Sequence, residues 1–150
     1  MRQFVAFRLG EELYGIPITQ VQEIIQKPQI TRLPQMPDFV KGVVNLRGKI
    51  VPVVDLRTRF NMPISGEESQ VRIIVTQIGT QSVGLVVDSV NRVSNLSEET
   101  IEPLPHTFRS VEKEYLEGVG KLADGIIILL NLEKVLTDTE KMSLNATDLK

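Results

Sequence analysis

Short apolar runs alternate with turn-forming residues along most of the chain. Each run has the length of a β-strand and is bounded by Gly, Pro, Asn or Asp, as expected for strands joined by tight turns. Val, Ile and Thr occur 18, 14 and 10 times among 150 residues, whereas Ala, the best helix former, occurs 3 times. The pattern therefore predicts a mainly β protein of sandwich or barrel architecture. The predicted strands are Phe4 to Leu9, Leu13 to Ile18, Gly42 to Leu46, Ile50 to Leu56, Val71 to Ile78, Ser82 to Val87 and Gly125 to Leu132.

Two ungapped offsets align the chain with itself. An offset of 69 residues places Gly15 on Gly84, and an offset of 76 places Gly42 on Gly118. Small and apolar residues match easily by chance, but both offsets keep the order of the chain, which favours duplication over coincidence. We expect pseudo-repeats over residues 2–60 and 71–136, a linker over 61–70 and a polar tail over 137–150. Because about 60 residues bury little apolar surface alone, each repeat is expected to form one small barrel that shares a core with the other.

The hairpin of each repeat carries a different turn. The second repeat has Ala123-Asp124-Gly125, whose Asp-Gly pair suits a two-residue primed turn with positive φ at both central residues. The first repeat has Arg47 at the place of Ala123. One hairpin therefore carries an additional charged side chain.

The segment Pro17 to Gln26 has helical apolar spacing. Ile18, Val21, Ile24 and Ile25 fall at i, i+3, i+6 and i+7, and Val86 to Val93 repeats this spacing. We expect two short helices, each packed on a barrel. If both line a seam between the barrels, their outer Val and Ile side chains would form an apolar groove for a partner helix.

Composition excludes most catalytic chemistry. The chain has no Cys and one His, His106, which follows Pro and is expected in a loop. It also lacks a Gly-x-Ser-x-Gly motif, a phosphate-binding loop and an acidic pair with recognisable partners. We therefore expect no enzyme activity, cofactor or metal. No apolar run approaches the ~20 residues of a spanning helix, and we expect a cytoplasmic protein without direct membrane insertion.

Charge argues against nucleic-acid binding. The net charge is −2, and aromatic residues make up only 5% with no Trp. Between Lys27 and Arg59 there are seven basic residues against two acidic ones, so a mildly basic face around Arg47 keeps an oligonucleotide-binding barrel as a distant alternative.

Three segments resemble the CheW family of chemotaxis coupling proteins: 13–24, 39–57 and 84–88, with 114–120 as a further match. The most specific element is Asn45-Leu46-Arg47-Gly48. The resemblance covers about residues 2 to 136 and implies a CheW-like domain over 1–136. It implies two SH3-like five-stranded β-barrel subdomains around a shared hydrophobic core, with short helices. It also implies a non-enzymatic adaptor that couples chemoreceptor cytoplasmic hairpins to the regulatory domain of the histidine kinase CheA. Such an adaptor helps to assemble signalling arrays at the inner face of the membrane.

Site residues follow from the same resemblance. The receptor-binding groove would include Val5, Ile18, Val21 and Val90, and Glu23 and Arg47 match polar positions tied to coupling. Arg47 would either contact a partner or pair with Glu23. The second barrel near Arg72 and Ile73 would contact the kinase.

The resemblance leaves a second identity open. A chain of this kind could instead be the CheW-like regulatory domain of a kinase or part of a receiver-fused coupler. A start at Met1 directly before the first strand favours the standalone adaptor.

Overall fold

The computed structural model describes residues 1–26, 29–32, 34–35, 40–60, 68–103, 115–123 and 125–135. Within these ranges the chain forms mostly strands, two four-residue α-helices and three short 3-10 turns at Ile18–Gln20, Glu68–Gln70 and Glu98–Thr100. The strands are β1 (Arg2–Leu9), β2 (Glu12–Pro17), β3 (Val21–Gln26), β4 (Val40–Leu46), β5 (Lys49–Asp55), β6 (Arg72–Ile78), β7 (Gln81–Val87), β8 (Ser89–Leu96), β9 (Ile101–Glu102), β10 (Leu116–Leu122) and β11 (Gly125–Leu130). The helices are α1 (Leu56–Arg59) and α2 (Leu132–Val135).

The strands form two sheets. A six-stranded sheet has the order β8-β1-β2-β11-β10-β9, and a five-stranded sheet has the order β3-β6-β7-β5-β4. The largest apolar cluster contains Phe7 and Ile16 of the first sheet together with Ile74 and Leu85 of the second. The mainly β fold class, with two β units around a shared core and short helices, is confirmed.

The two sheets do not coincide with the two repeats. The β1–β2 hairpin of the first repeat lies between β8 and β11 of the second, and the β6–β7 hairpin of the second lies between β3 and β5 of the first. The expectation that each repeat forms its own barrel is therefore wrong. The exchange places each hairpin inside a sheet, where both of its edges are hydrogen-bonded, instead of leaving an exposed edge.

Strand registers follow both sequence offsets. Leu9 pairs with Glu12 in β1–β2, and Ile78 pairs with Gln81 in β6–β7, each residue shifted by 69. The parallel pair Leu129 with Gly15 corresponds to Val53 with Gly84, where the shifts are 76 and 69. The two sheets are thus built on one pairing scheme, as expected of an internal duplication.

The predicted helices at Pro17 to Gln26 and Val86 to Val93 are wrong. Beyond a three-residue 3-10 turn, the first segment is strand β3, and most of the second lies in β7 and β8. In β3 the exposure alternates residue by residue, which is the strand period of two. Pairing with β6 supplies a hydrogen-bonded partner, and the β-branched side chains fit the pleated surface better than a helix.

The two hairpin turns are equivalent in position. Leu46 pairs with Lys49 across Arg47 and Gly48, whereas Leu122 pairs with Gly125. Gly125 is therefore the first residue of β11 rather than the second turn residue, and the expectation of a central Asp-Gly pair is wrong. The sequence offset of 76 is consistent with this, because it aligns Ala123 and the residue after it with the turn residues Arg47 and Gly48.

Several expectations fall outside the described residues. These include the loop position of His106, the polar tail over 137–150 and the linker over 61–67. Among the residues that the structure describes, no helix is long and apolar enough to cross a bilayer.

Candidate functional site

The expected groove residues meet at the shared core. Ile18, Val21 and Val90 are half-buried and pack against the largest apolar cluster, to which Val5 belongs. Val5 is only 4% exposed, so it supports the surface without forming part of it. Val21 and Val90 are related by the offset of 69, and each lies near the start of an outer strand, β3 and β8. Three half-buried apolar side chains thus lie at the border of the shared core, on or next to two pseudo-equivalent outer strands.

A charged pair connects strand β3 with the β4–β5 turn of the five-stranded sheet. The Arg47 guanidinium donates from Nη1 to Glu23 Oε1 at 3.3 Å and from Nη2 to Glu23 Oε2, a two-bond geometry that connects β3 with the β4–β5 turn. The hydrogen bonds from Arg47 lower the pKa of Glu23, and the positive charge of Arg47 lowers it further. The Arg47 side chain is 76% exposed. Of the two roles expected for Arg47, the structure shows the pairing with Glu23.

The backbone of the turn fixes the direction of Arg47. Arg47 and Gly48 have φ of +52° and +88°, so both occupy the left-handed region, as a two-residue primed turn requires. The Asn45 side-chain Oδ1 accepts a hydrogen bond from Gly48 N at 2.8 Å and closes the turn. Glycine adopts this conformation freely, but at Arg47 it is unfavourable by about 1–2 kcal/mol. The turn therefore holds a charged side chain at a position where Gly, Asn or Asp is preferred.

A cavity of about 450 Å³ opens beside this pair. Lys49 Nζ and the Gln22 side chain both hydrogen-bond Ser82 Oγ at its wall, at 3.1 and 2.9 Å. Val51 and Val75 add apolar surface. The cationic side chains of Arg47 and Lys49 and the apolar surface of Val51 and Val75 suit recognition of a partner by charge and apolar contact.

The residues expected to contact the kinase lie at the start of β6, beside the last residues of β3. Arg72 pairs with Gln26 and donates from Nη1 to the carbonyl oxygens of Ser69 and Val71, both at 2.9 Å. Ile73 is 2% exposed and belongs to a second apolar cluster. At this place Arg72 is at the surface, and Ile73 supports it from within.

A buried ionic network joins the two sheets, and sequence reasoning missed it. Arg57 of α1 is 4% exposed and donates to both Asp55 oxygens, at 3.0 Å from Nε and 2.9 Å from Nη2, and to Asp88 Oδ1 at 3.2 Å. Asp88 Oδ2 accepts from Gly10 N in the β1–β2 turn at 2.7 Å. Lys41 Nζ lies 3.6 Å from Asp55 Oδ2.

Burial alone would raise the pKa of Asp55, but the hydrogen bonds and charge of Arg57 outweigh it, and the pKa lies below its usual value. The pKa of Arg57 is raised by its hydrogen bonds to Asp55. Both groups are therefore charged at neutral pH. The available sequence signal was an acidic residue at the end of one apolar strand, Asp55, and directly after another, Asp88.

Metal binding has no support in the described part of the chain, where no group of three His, Asp or Glu side chains is placed to hold an ion.

Comparison with known proteins gives one consistent result. The model of the CheW-like domain matches residues 3–140. Chemotaxis protein CheW of Klebsiella aerogenes is 45% identical over 140 residues, which are 93% of this chain and 84% of that protein. Chemotaxis protein CheW of Treponema pallidum is 32% identical over 146 residues, covering 95% and 86%. The crystal structure of the scaffolding protein TtCheW from Thermoanaerobacter tengcongensis superposes with a TM-score of 0.82 at 40% identity, covering 89% of this chain and 91% of that one.

Proposed function

The chain belongs to the family of CheW-like domains, and on that premise we propose that it is a non-enzymatic chemotaxis adaptor. It couples chemoreceptor cytoplasmic hairpins to the histidine kinase CheA and helps to assemble signalling arrays at the inner face of the membrane. The observation that carries this proposal is the Arg47 turn. Its backbone is unfavourable for a non-glycine residue, yet it holds an exposed guanidinium paired with Glu23. Strain of this kind persists where a side chain has a task.

The receptor contact is proposed at the seam formed by Ile18, Val21 and Val90. Half-buried apolar residues lose their remaining contact with water when a helix packs on them, which favours association by about 25 cal/mol for each Å² buried. Val5 lies beneath them and keeps the surface in place.

Glu23 and Arg47 add specificity at the end of the groove. An exposed pair is well solvated before binding, and its contribution comes from desolvation and from hydrogen bonds that a partner completes. The two-bond geometry leaves further donors of the guanidinium for a carboxylate or carbonyl of the partner.

The kinase contact is proposed at the β6 end, with Arg72 at the surface and Ile73 as its support. This region lies three residues further along β3 than Glu23, because Val75 pairs with Glu23 and Arg72 pairs with Gln26. The adaptor would therefore hold its two partners at separate places.

Calorimetric titration tests the proposal. The purified protein is titrated with the CheA regulatory domain, with a receptor cytoplasmic fragment, and with both together. We expect saturable binding to each. Binding to neither would contradict the adaptor function and leave only the fold assignment.

Two variants test the site residues. Val21→Asp is expected to weaken receptor-fragment binding more than kinase binding, and an equal loss of both would show that Val21 belongs to the core. Arg47→Gly removes the side chain and suits the left-handed backbone, so it should fold normally and lower receptor-dependent kinase activation. Normal activation by this variant would contradict the role of Arg47.

A further inference from the structure

The buried ionic network connects residues 55–57 with Asp88 and, through Asp88, with Gly10, three places that are far apart in sequence. Asp55 ends β5 in the five-stranded sheet, Arg57 lies in α1, and Asp88 joins β7 to β8. Asp88 also accepts from Gly10 N, and its own N–H donates to the carbonyl oxygen of Arg8 at 3.0 Å. The network therefore ties the end of the five-stranded sheet to the β1–β2 turn of the six-stranded sheet.

The pseudo-equivalent position in the second repeat is built differently. There Glu133 replaces Arg57, and its Oε1 accepts directly from Gly79 N, the counterpart of Gly10 N, at 3.1 Å. Asn131 replaces Asp55 and accepts from Glu133 N at 3.1 Å. The counterpart of Asp88 is Thr19, which is exposed. One connection between the sheets is thus buried and ionic, while the other is an exposed hydrogen bond.

This difference concerns the two sides of the proposed groove, which we call the Val90 wall and the Val21 wall. Asp88 precedes Val90 by two residues, and Thr19 precedes Val21 by two. The Val90 wall is held through Asp88 by a charged network with three hydrogen bonds from Arg57 to Asp55 and Asp88. At the Val21 wall no equivalent buried charge is present among the described residues, and β3 is connected instead by the exposed Glu23–Arg47 pair.

We propose that the Asp55–Arg57–Asp88 network is a positioning device that holds the Val90 wall of the groove at the spacing a receptor helix requires. The binding part of the proposal rests on the proposed receptor contact, whereas the fixing of β8 does not.

The test replaces the network by neutral residues of similar shape. A variant with Asp55→Asn, Arg57→Met and Asp88→Asn keeps an acceptor at the start of α1 and another for Gly10 N. Removal of a complete buried ionic group is often neutral for stability, so the variant is expected to fold. Hydrogen exchange should become faster in β8 near Val90 and stay unchanged in β3. The Kd for a receptor cytoplasmic fragment should rise about 10-fold, within the range of coupling through packed elements.

Glu133→Gln is the matched control, because it changes the charge at the position equivalent to Arg57. It should leave exchange in β8 and receptor affinity unchanged. If the triple variant does not fold, Asp88→Asn alone serves in its place, with the same expected direction. Unchanged exchange in β8, or faster exchange with unchanged receptor affinity, would overturn the proposal. If the wild-type protein binds no receptor fragment, the proposed receptor contact fails, and the exchange measurement still decides whether the network fixes β8.

Discussion

Two arginines in the first repeat use the same hydrogen-bonding group under opposite conditions. Arg47 is exposed and reaches one carboxylate from a turn, whereas Arg57 is buried and satisfies two. Water competes for the hydrogen bonds of the exposed Arg47–Glu23 pair, so the two side chains can exchange those bonds for hydrogen bonds to a partner. The buried charges of Asp55, Arg57 and Asp88 are no longer hydrated, so each is stabilised by the opposite charge of its neighbours.

The mutual dependence of the buried charges predicts a large effect of removing Arg57. Arg57→Ala leaves Asp55 and Asp88 buried and facing each other, so the free energy of unfolding should fall by about 3–5 kcal/mol. Urea denaturation followed by circular dichroism measures this. Arg92→Ala, which removes an exposed arginine of β8, is the control and should cost much less. A comparable loss for both variants would show that the network has no special weight.

Acid should weaken the protein through Asp55. Its pKa in the folded state lies below the unfolded value, so its stabilising contribution is complete above the unfolded pKa, about 4. The contribution is lost as pH falls through the lower folded pKa. Denaturation at a series of pH values from 6 to about 2 should therefore show a shallower acid loss for Asp55→Asn than for the wild type. If the free energy of unfolding fell equally with pH in both proteins, Asp55 would not contribute to the loss of stability in acid.

At the scale of elements, two glycines make room for a side chain of a neighbouring strand, Ile127 of β11 at Gly15 and Ile73 of β6 at Gly84. Gly15 of β2 lies opposite β11, and Gly84 of β7 lies opposite β5. A Cβ at Gly15 would meet Ile127 Cδ1 at 2.7 Å, and one at Gly84 would meet Ile73 Cγ2 at 2.8 Å. The offset of 69 relates these two glycines, so the repeat is visible in packing as well as in register.

Alanine at these glycines should destabilise the two sheets unequally. Both substitutions overpack a buried strand, which costs about 1–3 kcal/mol. Gly84→Ala should cost more, because Ile73 Cγ2 is fixed at a branched Cβ, whereas Ile127 Cδ1 ends a side chain that can rotate. Thermal unfolding of the two variants measures the order. Gly79→Asn is the control, since its φ is +64°, a Cβ there meets nothing within 4 Å, and Asn tolerates this conformation. The reverse order would contradict the packing explanation.

Sequence patterns predicted elements better than their partners. Apolar runs such as Phe4 to Leu9 correspond to observed strands, because burial on both faces produces continuous apolar sequence. Strand β3 was mistaken for a helix, since Glu23 lies on its inner side and Ile24, at 42% exposure, on its outer side. That inverted pattern depends on Arg47 and on β6, which are distant in sequence. The contacts of Arg57 were beyond prediction for the same reason.

At the scale of the whole molecule, the exchange of hairpins makes the two repeats dependent on each other. The β1–β2 hairpin hydrogen-bonds to β8 and β11, and the β6–β7 hairpin hydrogen-bonds to β3 and β5. Neither repeat therefore contains a complete sheet. The border of the shared core where Val21 and Val90 lie therefore forms only when both repeats are folded together.

Fragment complementation tests this dependence. Residues 1–63 and 64–150 are produced separately, with the cut between α1 and the 3-10 turn at Glu68–Gln70. Each fragment lacks the strands that flank its own hairpin, so the edges and apolar faces of that hairpin stay exposed and neither fragment should show a cooperative unfolding transition. An equimolar mixture should recover the β-sheet circular dichroism and a cooperative transition that depends on concentration, because association replaces the covalent connection. A native-like transition in either isolated fragment would contradict the exchange, since it would require one repeat to close a sheet from its own strands.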